Sequence, residues 1–299
     1  SPVAPLSFLP MWPLLALSGA VAQAAYSTGV KVLLRRVSPY FVAGASFLPA
    51  SGVLFLFSYL FGFPVLLEGF LPAVAATVAI NVVATILSYR ALAVSDLSLC
   101  LPMLAFTPVF LLLTSFLILG ETPSCFGLLG ILLIAAGSYL LAAKGPGLLA
   151  PLRTLSRDAG VRMMLIVAFL YSISVNYDKV VVESSDPVFG SAVVLGLLGA
   201  VFLAGAGLSA WGAPLLRGEV RRSHLLLLPA IGLILVVEAV SINLAYTLSI
   251  VPYVISIKRL SIFFAVLFGG YLLREGSIRA RAAGSLVMVA GTALIALWG

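Results

Sequence analysis

The chain has 299 residues, of which 62% are hydrophobic and 9% are charged, with a mean hydropathy of +1.21 and a net charge of +7. This composition excludes a soluble globular domain and indicates an integral membrane protein. Basic residues outside the apolar segments lie at the segment ends, a pattern of membrane topology signals that argues against nucleic-acid binding.

Ten apolar segments, each long enough to cross a bilayer as a helix, follow one another along the chain. We number them segments 1 to 10; their bounds are 11–34, 39–61, 70–89, 97–119, 124–143, 161–182, 187–208, 225–248, 251–273 and 280–298. The predicted fold class is therefore an all-α integral membrane protein with ten transmembrane helices.

The two halves of the chain look like copies of each other. Residues 11–143 form the first half, 144–160 a polar linker and 161–298 the second half. A shift of 154 residues places Glu121 on Glu275, and it also places two glycines of segment 5 on two of segment 10. Because each half has an odd number of segments, the second half is predicted to lie upside down. Inverted five-helix repeats of this kind are typical of secondary transporters.

The charges of the loops predict the topology. One side of the membrane receives all the loop Lys and Arg residues, and the other receives only the acids Glu68, Glu121, Glu183 and Asp186. The basic side is expected to be cytoplasmic, which places both termini outside a bacterial inner membrane.

Segment 9 contains the adjacent cations Lys258 and Arg259 near its middle. Each charge at this depth costs roughly 2.5 to 3.5 kcal/mol on insertion scales, so it needs compensation. One interpretation is a structural ion pair with acids of neighbouring helices, and the other is a site for an anionic ligand. We favour the anion site.

Further polar residues fall within the segments, many at helical spacing on one face. Interhelical hydrogen bonding is the alternative to a polar cavity. The candidate substrate-binding residues are Lys179, Lys258, Arg259, Asn176, Asn81, Lys31, Tyr26 and Asn243. Glu238 and Asp178 are the candidate coupling residues; the alternative for Glu238 is a permanent salt bridge to Lys258 or Arg259.

Two other features have a predicted mechanical role. Pro102 and Pro108 make segment 4 a candidate hinge or gate, although a merely kinked packing helix is the alternative. Segments 5 and 10 carry glycines seven residues apart and no interior charge. They are interpreted either as scaffold beside the cavity or as a dimer surface, so the chain is expected to be a monomer or a homodimer.

Residues 106–141, with Gly120–Glu121 followed by a glycine-rich segment, resemble the drug/metabolite transporter superfamily and particularly its bacterial EamA-type members. A narrower similarity links Lys179, Lys258 and Arg259 to the phosphate-gripping residues of plastid triose-phosphate translocators. These resemblances imply a ten-helix carrier for a small organic anion, with a phosphate or carboxylate group, that works by alternating access.

Exchange and proton coupling both remain open, and protons are the candidate coupling ion. The rival functions are a proton-driven exporter of amino acids or other metabolites, a flippase of a lipid-linked phosphate and a membrane-embedded enzyme. The enzyme is the weakest, because the sole histidine, His224, lies at a loop edge and no metal-ligand cluster appears. We therefore expect no enzymatic activity, no cofactor and no metal. The expected partners are membrane lipids and the substrate.

Overall fold

The computed structural model describes residues 11–34, 38–95, 97–142, 149–207, 222–272 and 282–299, and for some helical residues, Lys31 among them, the backbone alone. These residues form helices without any strand, which confirms the all-α fold class. The longer helices are α1 (Met11–Leu34), α2 (Pro39–Phe61), α3 (Phe70–Val94), α6 (Cys125–Ala142), α8 (Ala159–Glu183), α9 (Pro187–Gly207), α10 (Arg222–Leu248) and α13 (Ala282–Trp298). The shorter ones are α4 (Leu97–Cys100), α5 (Thr107–Leu119), α7 (Ala150–Thr154), α11 (Val251–Lys258) and α12 (Ser261–Leu272).

Each of the ten predicted segments contains helix. In the described part of the chain, seven helical stretches are long and apolar enough to cross a membrane. They are Pro39–Phe61, Phe70–Val94, Leu101–Leu119, Cys125–Ala142, Ala159–Glu183, Pro187–Gly207 and Leu228–Leu248. The chain is thus a multi-pass membrane protein, and the full count of ten spans stays a prediction.

The outer surface of the helix bundle is apolar. Leu56, Leu60 and Phe61 of α2 are more than half exposed, as are Leu113 and Leu117 of α5. Soluble proteins rarely expose so many large apolar side chains, whereas lipid tails accommodate them.

Segments 4 and 9 are interrupted helices. In segment 4 a 3-10 turn, Leu101–Phe106, separates α4 from α5, with Pro102 in its first turn and Pro108 in the first turn of α5. Proline suits these positions because the first turn of a helix has no partner for its N–H groups. In segment 9, α11 ends at Lys258 and α12 begins at Ser261.

Glycines join α6 to α13. A β-carbon on Gly130 would lie 2.7 Å from the Gly291 carbonyl oxygen, and one on Gly137 would lie 2.7 Å from that of Gly284. The backbones therefore touch, and the pairing of low with high numbers shows that α6 and α13 run antiparallel. These glycine faces are used within the chain, where they form a scaffold seam. A dimer surface on the other faces of segments 5 and 10 stays a prediction.

Candidate functional site

A cavity of about 1020 Å³ lies inside the bundle. Its walls come from both halves of the chain, and four charged side chains line it: Asp178 of α8, Glu238 of α10, and Lys258 and Arg259 at the break of segment 9. Two cations and two anions around one cavity are costly in a membrane unless the cavity holds water or a ligand.

Lys258 is held by an acid. Its Nζ forms an ion pair with Glu238 Oε1, and the two side chains are 27% and 11% exposed. One of the alternatives for Glu238, a salt bridge to segment 9, is therefore observed, and Lys258 is its partner. Because Lys258 keeps a quarter of its surface in the cavity, the pair remains accessible to a ligand.

Arg259 has no such partner in the described part of the chain. Among the described residues no carboxylate lies within ion-pair distance of it, and its Nε is buried without a hydrogen bond. Its backbone N–H is shared between the carbonyls of Ile255 and Ser256, each at 3.1 Å, which tightens the chain at the break. The Tyr171 hydroxyl, which is hydrogen-bonded to Thr85, lies close enough to Arg259 to interact with its charge.

Asp178 belongs to a hydrogen-bonded cluster between α3 and α8. Its Oδ1 accepts a hydrogen bond of 2.5 Å from the Thr77 hydroxyl, and Thr77 lies 2.8 Å from the Ser174 hydroxyl. Asn81 donates to Ser174 at 2.6 Å and to Thr77 at 3.1 Å. No cation of the described chain lies within ion-pair distance of Asp178.

Two more predicted substrate-binding residues line the cavity. The Tyr26 hydroxyl lies 3.5 Å from that of Ser46, and Asn243 donates to the Ser191 hydroxyl at 2.6 Å. The Lys31 side chain lies outside the described residues. Pro102 and Pro108 are buried in segment 4 and do not line the cavity, so their role as a gate stays a prediction.

Asn176 and Lys179 do not line the cavity either. Asn176 is fully buried and joins α8 to α5: it accepts from Ser115 at 2.5 Å and donates to Thr114 at 3.1 Å. Lys179 pairs with Glu121, with Nζ to Oε1 at 2.6 Å. Both side chains are occupied by protein partners, so neither is free to contact a ligand in this conformation.

Several lining residues were absent from the sequence-based set. Ser174, Ser191, Tyr171 and Tyr246 all face the cavity. Ser174 precedes Asp178 by one helical turn, and this spacing is the signal that would have placed it on the same face. The others are a serine in a run of small residues and two tyrosines in apolar helices, for which the sequence offers no distinctive pattern.

Comparisons with known proteins agree with this architecture. The model of the EamA-like transporter family matches residues 10–143, which confirms the resemblance to EamA-type members of the drug/metabolite transporter superfamily. A protein of known crystal structure shares the fold, with a TM-score of 0.76 over 95% of this chain and 96% of its own, at 14% identity. No curated protein matches the sequence. The narrower similarity to triose-phosphate translocators stays a prediction.

Proposed function

We propose that this chain, whose residues 10–143 match the model of the EamA-like transporter family, is a secondary transporter of a small organic anion bearing a phosphate or carboxylate group. The observation that carries the proposal is Arg259, a cation in the cavity wall without an acidic partner among the described residues. An unpaired guanidinium in a membrane interior is costly, and an anionic ligand would offset that cost.

The chemistry of arginine suits such a ligand. Its planar fork offers parallel N–H donors that match the oxygens of a carboxylate or a phosphate. At an effective dielectric constant of 20, one charge–charge contact near 4 Å contributes roughly 4 kcal/mol, which offsets part of the desolvation of the anion. Lys258 would add a second cation once it is released from Glu238.

Alternating access through two inverted repeats is the proposed mechanism. The antiparallel packing of α6 and α13 supports it, because these helices are equivalent in the two halves and lie in opposite directions. The interrupted helices support it too. A shift of 154 residues places the 3-10 turn of segment 4 on residues 255–260, which cover the break between α11 and α12.

Proton coupling is proposed for Glu238, with Asp178 as a second candidate. A deprotonated Glu238 holds Lys258, whereas a protonated Glu238 would release it to bind the anion. Protonation of Asp178 would likewise raise the positive charge of the cavity. We place the protein in a bacterial inner membrane with both termini outside, as its loop charges favour.

Export of amino acids is the second candidate function, and one observation favours it. Asp178 faces the cavity without a cation within ion-pair distance in the described chain, so an ammonium group could bind there while Arg259 binds the carboxylate.

Purified protein in liposomes would test both candidates. Vesicles loaded with unlabelled phosphate, a phosphate ester, a dicarboxylate or an amino acid are mixed with the labelled compound, and exchange is measured across a range of pH. We expect exchange of at least one anion, lost in Arg259→Gln. Exchange of zwitterionic amino acids alone would favour the second candidate, and exchange unaffected by Arg259→Gln would contradict the proposal.

A further inference from the structure

Glu121 lies at a sharp turn after α5. Gly120 ends the helix with a φ of +71°, a conformation that favours glycine, and its N–H donates to the Phe116 carbonyl at 3.1 Å. The turn directs the Glu121 carboxylate inward, where only 9% of its side chain is exposed. This geometry gives the Gly120–Glu121 pattern of the sequence a physical role.

Both carboxylate oxygens of Glu121 are used. Oε1 accepts from Lys179 Nζ of α8 at 2.6 Å, and Oε2 accepts from the backbone N–H of Val251, the first residue of α11, at 2.8 Å. Lys179 Nζ also donates to the Ser249 carbonyl at 3.1 Å. We call these contacts the Glu121 latch. It joins the connection between segments 4 and 5 to segment 6 and to the start of segment 9.

Other contacts tie the same end of the bundle. The backbone N–H of Ser124 donates to the Tyr253 hydroxyl at 2.7 Å, so the start of α6 is bound to the first turn of α11. The backbone N–H of Leu67, between α2 and α3, donates to the Ser184 carbonyl at 2.9 Å. The cavity approaches this end at Val181 of α8 and Gly190 of α9, and it extends to Leu141 and Ala142 in the last turn of α6, at the opposite end.

We infer that the Glu121 latch closes this end of the cavity and opens during the transport cycle. The inference rests on the alternating access proposed above. Glu121 comes from the first half of the chain, whereas Lys179, Ser249 and Val251 come from the second half, so movement of the halves at this end must separate them. Lys179 is then a residue of the closure, distinct from the anion-binding Arg259.

The energetics suit a closure that can open. A buried ion pair stabilises the closed end because breaking it in a dry environment leaves two uncompensated charges. When the end opens, water enters and hydrates both charges, so the open state is also accessible.

Cysteine labelling would test the latch without any substrate. Cys100 and Cys125, neither of which forms a disulfide, are replaced by Ala, and Val194 of the cavity wall is replaced by Cys. A membrane-impermeant maleimide is then applied to either face of sealed vesicles. A separate Thr122→Cys protein, exposed next to Glu121, identifies the face on which the latch lies.

In the otherwise unchanged protein we expect Val194→Cys to be labelled from the opposite face and only slowly from the latch face. Glu121→Gln is expected to raise the labelling rate from the latch face about fivefold or more. The matched control is Glu183→Gln, because Glu183 lies 3.7 Å from Lys179 but is 54% exposed and should leave the rate unchanged.

A second variant guards against misfolding of Glu121→Gln. Tyr253→Phe removes only the hydroxyl that accepts from Ser124 and keeps the ring stacked on Trp12, and we expect a rise of about twofold. The inference would be overturned if Val194→Cys were labelled from the latch face at the same rate in the otherwise unchanged protein, in Glu121→Gln and in Tyr253→Phe. It would also be overturned if Glu183→Gln raised this rate as much as Glu121→Gln does. If no protein, the unchanged one included, is labelled from either face, alternating access itself fails. A failure of anion exchange alone would leave these rates untouched.

Discussion

Two ion pairs among the described residues connect different parts of the bundle, and they differ in their surroundings. Glu238–Lys258 lines the cavity, with 27% of the lysine side chain exposed, whereas Glu121–Lys179 is sealed, with about a tenth of each side chain exposed. Lys179 of the sealed pair makes two further contacts: it donates a hydrogen bond to the Ser249 carbonyl, and it lies near the Glu183 carboxylate. A cation beside a cavity can exchange its partner for a ligand, but a cation enclosed by protein holds parts of the bundle together in the closed conformation.

The largest expected effect comes from breaking the sealed pair. Lys179→Met leaves Glu121 buried without its cation, and we expect a loss of about 3 kcal/mol of stability with the affinity for anions unchanged. Lys258→Met is the matched comparison: we expect a smaller loss of stability, because water reaches that pair, but weaker anion binding. Thermal unfolding and ligand titration of both variants measure this difference. Equal losses of stability would contradict the distinction between the pairs.

The scaffold seam sharpens the comparison, since it should affect stability alone. In Gly137→Ala the new methyl group meets the Gly284 carbonyl and the Met288 side chain, and overpacking of this kind costs about 2 kcal/mol. Gly52→Ala is the control, because nothing lies within 4 Å of the position that a β-carbon would take there. We expect thermal unfolding to show a loss for Gly137→Ala and none for Gly52→Ala; the opposite order would contradict the seam.

Glu238→Gln would test whether the exposed pair couples transport to protons. The amide can neither take up a proton nor hold Lys258 by charge, so we expect pH-driven transport to be lost while exchange survives. Binding of the anion should strengthen by a few-fold, which corresponds to about 1 kcal/mol. Transport in liposomes with and without a pH gradient measures this. Retained pH-driven uptake would assign Glu238 a purely structural role.

The smallest effect is expected at the start of α8, outside the membrane-spanning segments. Asp158 accepts hydrogen bonds from the Ser95 hydroxyl at 2.6 Å and from the Val161 N–H at 2.9 Å, and these bonds lower the pKa of its carboxyl. Because the pKa of Asp158 is lowered, its ionised carboxylate stabilises the folded protein at pH values above the ordinary pKa of an aspartate. This stabilisation is lost as the pH falls through the lowered pKa.

We therefore expect Asp158→Asn to destabilise the protein by less than about 1 kcal/mol at neutral pH, because asparagine also caps helices. The difference should shrink as the pH falls from neutral into the acidic range, through the lowered pKa of Asp158. Thermal unfolding across this range measures it, and a difference that grows on acidification would contradict the assignment.

The sequence predicted much of this arrangement, and its failures have a physical cause. Helix α8 carries two polar stripes, one through Asn176 and Lys179 and one through Ser174 and Asp178. Spacing alone favours both equally. Only packing decides that the first stripe faces α5 and the connections, while the second faces α3 and the cavity.

The same limit applies at the break of segment 9. Lys258 and Arg259 are adjacent, so their side chains leave a helix about 100° apart, and sequence could not say which one meets Glu238. No proline or glycine marks the end of α11 at this point. The glycine seam, by contrast, was visible as a spacing of seven residues, because close helix contact requires small side chains on one face.

The most direct test of the account is the binding of anions by Arg259. Purified protein is titrated with inorganic phosphate and with small carboxylates while thermal unfolding is recorded, for the unchanged protein, Arg259→Gln, Arg259→Lys and the exposed control Arg153→Gln. We expect stabilisation by at least one anion in the unchanged protein and the control, a weaker response in Arg259→Lys, and a roughly 10- to 100-fold loss of affinity in Arg259→Gln. An undiminished response in Arg259→Gln would contradict the account.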